Sequence, residues 1–156
     1  MLQHLISAFR HDKPSQSTAI AYYVEKGFEE GNLEQVIEYI NKMFSTIPYP
    51  IFDAKKEKYY HSLIHTLFTY VGLYIKSEVT TSKGRVDAIV EVEERIYILE
   101  FKLDKTAQKA IEQIKEKGYA EQFNGSEKQL VAFGINFSSK EKQVNDWKTE
   151  VLNYAE

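Results

Sequence analysis

The chain has 156 residues, the length of one ordinary domain, and it combines 43% apolar with 28% charged residues and only 7 Gly and 3 Pro. This composition excludes disordered, collagen-like and low-complexity proteins. The lack of cysteine excludes a disulfide framework, a thiolate metal site and a cysteine nucleophile. A net charge of -3 excludes a generally basic nucleic-acid coat, although 20 Lys and Arg residues leave room for a local basic groove.

Hydrophobic segments are short throughout the sequence. No run approaches 18 uninterrupted apolar residues, and the N-terminus lacks the long apolar core of a secretory signal. We therefore expect no membrane association and a cytoplasmic location.

Two amphipathic helices are predicted in the first 50 residues. Ser17 or Thr18 can cap the first, which ends near Gly31; Asn32 can cap the second, with Gln35 as its capping-box partner. The prolines within 47–50 end the second helix. The sequence therefore predicts an N-terminal helical segment over residues 1–50 and a second domain over 51–156.

A third helix is predicted from Asp53 to about residue 73. Glu57 falls on its apolar side, which is unusual for a carboxylate because charged residues normally occupy the solvent face. An alternative that gives Glu57 no functional role is that the helix dipole favours an acidic side chain near the N-terminus of the helix. His61 and His65 have the spacing of a zinc pair, but without a further His or Cys nearby we favour hydrogen bonding in a half-buried layer.

After Gly72 the apolar period changes from 3.6 to 2, which indicates strands over 74–80, 85–92, 95–103 and 130–137. Asp104 can cap a helix that runs to about Gly118 or Glu121, and the element around Trp147 stays open. The predicted fold is α/β, with a mixed central sheet of four or more strands flanked by helices and an N-terminal helical appendage.

A tight turn at Glu93-Glu94 fixes the pairing of the second and third strands. It opposes Asp87 to Glu100, and strand alternation adds Lys102 to the same face. The isoleucines of both strands share this face (Ile89, Ile96, Ile98), and the opposite face receives Val86, Ala88, Val90, Tyr97, Leu99, Phe101 and Leu103.

Two opposed carboxylates repel each other, and a bound divalent cation would neutralise this repulsion. Oxygen ligands favour Mg²⁺ or Mn²⁺, and Lys102 could orient a water or offset phosphate charge. The alternative is a cross-strand ion pair on a solvent-facing sheet, which contributes about 0–1 kcal/mol.

The run Gly84-Arg85-Val86-Asp87, followed by Glu100-Phe101-Lys102, resembles the PD-(D/E)XK nuclease motif, with Val86 in the place of the proline. The order of further residues extends the likeness over about 33–152 to the nuclease-like domain at the C-terminal end of bacterial AAA-ATPase-like proteins. Those residues are Ile47-Pro48-Tyr49, Glu57, Tyr60-His61, Glu78, Tyr97, Ala110, Gln113-Ile114 and Tyr119.

The resemblance implies a restriction-endonuclease-like fold for 51–156 and a role for each matching residue. Asp87 and Glu100 become metal ligands, with the Phe101 carbonyl as a third, and Lys102 becomes the catalytic lysine. Glu57 matches a helix-borne acid and Gln113 a polar residue that lines the site. The Gln-x-x-x-Tyr of RecB-like members is absent, because Lys117 is the fourth residue after Gln113 and the nearest tyrosine is Tyr119.

The function that follows is Mg²⁺- or Mn²⁺-dependent hydrolysis of nucleic acid, DNA rather than RNA. The alternative is a catalytically silent nuclease-fold module that binds or regulates an AAA-type ATPase, as a separate partner or on one polypeptide. The sequence itself has no Gly-x-x-x-x-Gly-Lys-Ser/Thr loop for nucleotide binding.

Overall fold

The computed structural model describes residues 14–46, 62, 63, 65, 66, 74–81 and 84–152. Its elements, in chain order, are α1 (Pro14–Glu30), α2 (Leu33–Ser45), β1 (Tyr74–Thr81), β2 (Gly84–Glu91), β3 (Arg95–Leu103), α3 (Ala107–Glu116), a 3₁₀ helix (Tyr119–Phe123), β4 (Gln129–Ser138) and β5 (Gln143–Val151). Over these residues, no helix combines the length and apolar character needed to cross a bilayer.

The five strands form one mixed sheet in the order β1-β2-β3-β4-β5. Neighbouring strands are antiparallel except for β3 and β4, which are parallel and are joined by the crossover helix α3. The predicted α/β fold with a mixed central sheet flanked by helices is confirmed. The open element around Trp147 is strand β5.

The predicted register of β2 with β3 is confirmed from Glu91 to Ala88, whereas the predicted pair of Asp87 with Glu100 lies beyond the paired positions. Ala88 pairs with Leu99 and Val90 with Tyr97, and the Val92 N–H donates to the Arg95 carbonyl at 2.9 Å to close the turn. Register therefore follows from the turn position and strand alternation alone.

A hydrophobic layer covers each face of the sheet. The larger layer joins α1 and α2 to Ala88, Val90, Tyr97 and Leu99, whereas α3 covers the face of the three isoleucines. One prediction is wrong: Val86 packs in the layer of the isoleucines. The paired positions of β2 and β3 run from Glu91 to Ala88, so alternation relative to β3 no longer determines where Val86 packs.

The helix ends follow local capping chemistry. The side chain of Asn32 accepts a hydrogen bond from the Gln35 N–H at 3.2 Å, as predicted. Helix α1 is already helical at residues 14–18, so neither Ser17 nor Thr18 is its N-cap.

The predicted cap of α3 at Asp104 is wrong. Thr106 is the N-cap, and its hydroxyl accepts from the Lys109 N–H at 3.1 Å. Asp104 has a left-handed backbone (φ 55°) and accepts instead from the Ser139 N–H at 2.9 Å and the Ser139 hydroxyl at 2.6 Å. These hydrogen bonds lower the Asp104 pKa and connect the loop after β3 to the turn after β4.

Helix α3 approaches the sheet most closely at Gly134, which pairs with Glu100. A Cβ atom at this glycine would lie 2.5 Å from the Ala107 carbonyl oxygen and 2.9 Å from the Ala110 Cβ. Glycine is therefore required for α3 to lie directly beside this part of β3.

Most of the predicted third helix, with Glu57 and His61, lies outside the described residues. Ser62, Leu63, His65 and Thr66 are helical, and Leu63 is buried in the larger layer. The boundary near residue 50 also lies outside them, so the division into two domains stays a prediction.

Candidate active site

Asp87 is directed towards β3 by a backbone hydrogen bond. It directly precedes Ala88, the first residue of β2 that pairs with β3, and its Oδ2 accepts from the Phe101 N–H at 2.9 Å. The bond fixes the carboxylate of β2 next to the Glu-x-Lys segment of β3.

Glu100 and Lys102 form an ion pair on β3. The Lys102 Nζ lies 3.6 Å from the Glu100 Oε1, and the two side chains are only 14% and 5% exposed, respectively. Burying a carboxylate is unfavourable unless cations or hydrogen bonds compensate it. Such burial argues against the solvent-facing ion pair that the sequence left open.

Gln113 connects Lys102 to helix α3. Its Oε1 accepts a short hydrogen bond from the Lys102 Nζ, so the amide faces the Glu-x-Lys segment. The predicted site residues Asp87, Glu100, Lys102 and Gln113 are thus brought together at one end of the face that α3 covers. Glu57 lies outside the described residues, and a ligand role for the Phe101 carbonyl stays a prediction.

Tyr119 joins this cluster, and sequence reasoning gave it no role. The Gln113 Nε2 donates to the Tyr119 hydroxyl at 3.5 Å. A left-handed Gly118 (φ 61°) and the 3₁₀ helix that follows turn the chain so that the tyrosine returns to α3. The available signal was the glycine directly before a tyrosine at the predicted end of the helix.

The Tyr119 pKa reports the electrostatics of the cluster. Burial is the main cause that raises it, and the negative charges of Glu100 and Asp87 raise it further, whereas the hydrogen bond with Gln113 lowers it. The phenol is therefore protonated near neutral pH, and both carboxylates lie near enough to act on it.

The donor set fits a divalent cation. The carboxylates of Glu100 and Asp87 both act on Tyr119, and Glu100 also pairs with Lys102. Mg²⁺ commonly binds through one or two protein carboxylates while keeping several waters. Within the part of the chain that the structure describes, no group of three or more acidic or histidine side chains is placed to hold a metal. Asp87 and Glu100 are the carboxylates available here, and the third predicted acid, Glu57, belongs to the undescribed segment.

An aspartate on one strand, a Glu-x-Lys segment on the next and a glutamine on the following helix are the arrangement of a PD-(D/E)XK protein. Residues 55–147 match the PD-(D/E)XK nuclease superfamily, and the chain belongs to that superfamily.

A relative with a longer chain is also similar. The "Uncharacterized protein in vnfD 5'region" of Azotobacter chroococcum mcd 1 is 32% identical over 117 residues, which cover 70% of this chain and 22% of the relative. The chain thus spans about a fifth of the length of the relative that it matches.

Proposed function

We propose that this chain is a metal-dependent nuclease that hydrolyses phosphodiester bonds of DNA. The observation that carries the proposal is the cluster of Asp87, Glu100, Lys102 and Gln113, in which a largely buried lysine lies between a buried carboxylate and an amide. Membership of the nuclease superfamily supports the same reaction class, and the preference for DNA rests on the family resemblance.

Asp87 and Glu100 would hold Mg²⁺ or Mn²⁺, completed by the Phe101 carbonyl and Glu57. The bound metal supplies Lewis-acid polarisation of the phosphate and a lowered pKa for water. Asp87 is oriented for this role because the Phe101 N–H occupies its Oδ2, which restricts the rotation of the carboxylate.

Lys102 would act on the phosphate and on the attacking water. Glu100 and Gln113 hold its ammonium in place from two elements, so little reorganisation is needed when a phosphate enters. The water oxygen bonds to phosphorus and gives up one proton to solvent, one P–O ester bond breaks, and the departing oxygen takes up a proton from solvent. The positive charge of Lys102 stabilises the negative charge that develops on the phosphate oxygens.

The cellular setting follows the sequence-based expectations. We propose a cytoplasmic protein, and an AAA-type ATPase as partner or fused neighbour. The silent module that serves such an ATPase is the competing hypothesis in the experiment below.

The test is cleavage of linear, circular and single-stranded DNA and of RNA, with Mg²⁺, with Mn²⁺ and with chelator. Wild type should cleave DNA only with metal, and Lys102→Ala and Asp87→Asn should each abolish cleavage. Asp87→Asn should preserve or raise the melting temperature, because it removes one of two neighbouring negative charges. Lys115→Ala is the matched control, since Lys115 pairs with Glu150 on the other side of α3 and should leave cleavage unchanged.

One combination of results would contradict the proposed nuclease activity. A wild-type chain that cuts none of these substrates, and whose melting temperature Mn²⁺ does not shift, is the nuclease-fold module and not the enzyme.

A further inference from the structure

Helix α3 has two flanks with different environments. On the flank towards β5, the Lys115 Nζ lies 2.8 Å from the Glu150 Oε2, and the Gln108 side chain accepts from the Lys148 ammonium. The other flank carries Gln113, whose Oε1 accepts from Lys102. The flank of Gln113 is therefore the one that borders the candidate active site.

Lys109 and Lys117 share the flank of Gln113. Residues four apart lie on one side of a helix, so Lys109 is one turn before Gln113 and Lys117 one turn after it. Both lysines are exposed. Two solvated ammonium groups thus border the Lys102–Gln113 contact, each about 6 Å from Gln113 along the helix axis.

We propose that this flank, Lys109-Gln113-Lys117, binds the phosphodiester backbone of the nucleic-acid strand whose reacting phosphate lies at Lys102. The inference rests on the proposed function and adds to it the surface that holds the substrate. From Lys109 to Lys117 the helix rises about 12 Å. One strand of a duplex carries a phosphate about every 3.4 Å along the axis, so the flank spans three to four successive phosphates. The lysines contact phosphates on either side of the reacting one.

The two acids of α3, Glu112 and Glu116, are exposed and border this flank on its solvent side, because each is three residues after a residue of the flank. The lysine on the other flank, Lys115, is already engaged by Glu150. Because the chain as a whole carries a net charge of -3, binding of a polyanion requires a local basic surface of this kind.

The test measures the salt dependence of binding to labelled 20-nucleotide single-stranded and duplex DNA and to RNA, in chelator so that nothing is cleaved. Each ammonium that contacts a phosphate contributes about 0.7–0.9 to the slope of log K against log salt. Lys109→Gln and Lys117→Gln should each reduce that slope by nearly one unit, and each should raise KM for cleavage several-fold. Lys115→Gln, the matched lysine of the opposite flank, should leave both quantities at their wild-type values.

The results separate this inference from the proposed nuclease activity. If Lys109→Gln and Lys117→Gln keep the wild-type salt slope and KM, the proposed binding surface is wrong. It is also wrong if Lys115→Gln lowers the salt slope as much as they do. In either case, metal-dependent cleavage by the wild type would still support the proposed nuclease activity. If the wild type cleaves nothing but the two variants still show reduced salt slopes, the binding surface is supported and the nuclease activity is rejected. If the wild type binds none of the three nucleic acids, the surface is overturned.

Discussion

The side chain of Gln113 uses both ends of its amide. The oxygen accepts from the Lys102 ammonium on β3, and the nitrogen donates to the Tyr119 hydroxyl of the 3₁₀ helix. An amide donates only from nitrogen and accepts only at oxygen. The hydrogen bond with Tyr119 therefore favours the orientation of the Gln113 amide in which its oxygen faces Lys102. A Cβ at Gly84 would lie 3.3 Å from the same hydroxyl, so the start of β2 leaves just enough room for the tyrosine.

Replacement of Tyr119 by phenylalanine should lower the cleavage rate without unfolding the protein. The change keeps the aromatic ring and removes only the hydroxyl that accepts a hydrogen bond from Gln113. Such a hydrogen bond contributes about 0.5–1.5 kcal/mol. We expect kcat to fall about two- to tenfold, with KM nearly constant, because the lysine is less firmly held. Tyr22→Phe is the control, since Tyr22 is exposed and lies on α1.

The pH profile supplies a second readout for Tyr119→Phe. The raised pKa keeps the hydroxyl protonated at neutral pH, so the profile of cleavage between about pH 6 and 9 should have the same shape in both proteins. A wild-type limb in that range that disappears in the variant would show instead that the phenol titrates during the reaction.

Among the elements, those governed by local rules could be predicted from the sequence. The register of β2 and β3 followed from a two-residue turn, and the Asn32 cap followed from its side-chain chemistry. Strand alternation placed Glu100 and Lys102 on one face of the sheet, whereas Gln113 was predicted at the site only through the family resemblance. Superfamily membership followed from the order of the motif residues.

The features that were missed depend on tertiary packing or on an unusual local backbone conformation. Asp104 loses the capping role to Thr106 because Ser139, 35 residues away, binds its carboxylate. Val86 packs in the other layer at a position where β2 extends past its pairing with β3, which ends at Ala88. Tyr119 reaches Gln113 through a left-handed glycine, which a fixed Gln-x-x-x-Tyr spacing does not allow for.

The packing of α3 on the sheet gives a prediction for Gly134→Ala. The added methyl group would overlap the Ala107 carbonyl, which is backbone and cannot rotate away, so α3 must move outward. Overpacking of this kind costs about 1–3 kcal/mol. We expect a lower melting temperature together with a loss of cleavage larger than that of Tyr119→Phe, because the movement separates Gln113 from Lys102.

Thermal unfolding of Gly134→Ala is compared with that of the wild type, and cleavage is measured at a temperature where the variant is fully folded. Wild-type stability and activity would mean that α3 does not lie in direct contact with Gly134. Reduced stability with wild-type activity would mean that the position of α3 is not needed for the site.

In the whole molecule, the α1–α2 pair and the sheet share the larger hydrophobic layer. Polar contacts add to this packing: the Tyr97 hydroxyl donates to the Phe28 carbonyl at 2.9 Å, and the Arg95 Nη1 donates to the Glu29 carbonyl at 3.2 Å. Burial raises the Tyr97 pKa, so this bond stabilises the fold below about pH 10 and is lost as the pH rises above that value. The face opposite to the candidate active site is thus closed by residues 14–46.

Phe28→Ala tests whether these helices and the sheet unfold as one unit. Phe28 is fully buried, and its ring lies 5.1 Å from that of Tyr97 and 6.3 Å from that of Phe133. A cavity of this kind costs about 3–5 kcal/mol. Denaturant unfolding is followed by far-ultraviolet circular dichroism for the helices and by fluorescence of Trp147, the single tryptophan, which packs on Phe133 in the sheet. With one cooperative unit, both signals shift together to lower denaturant and their midpoints coincide. If the helical signal shifts while the Trp147 midpoint stays at its wild-type value, residues 1–50 are a separate domain, as the prolines at positions 48 and 50 predict.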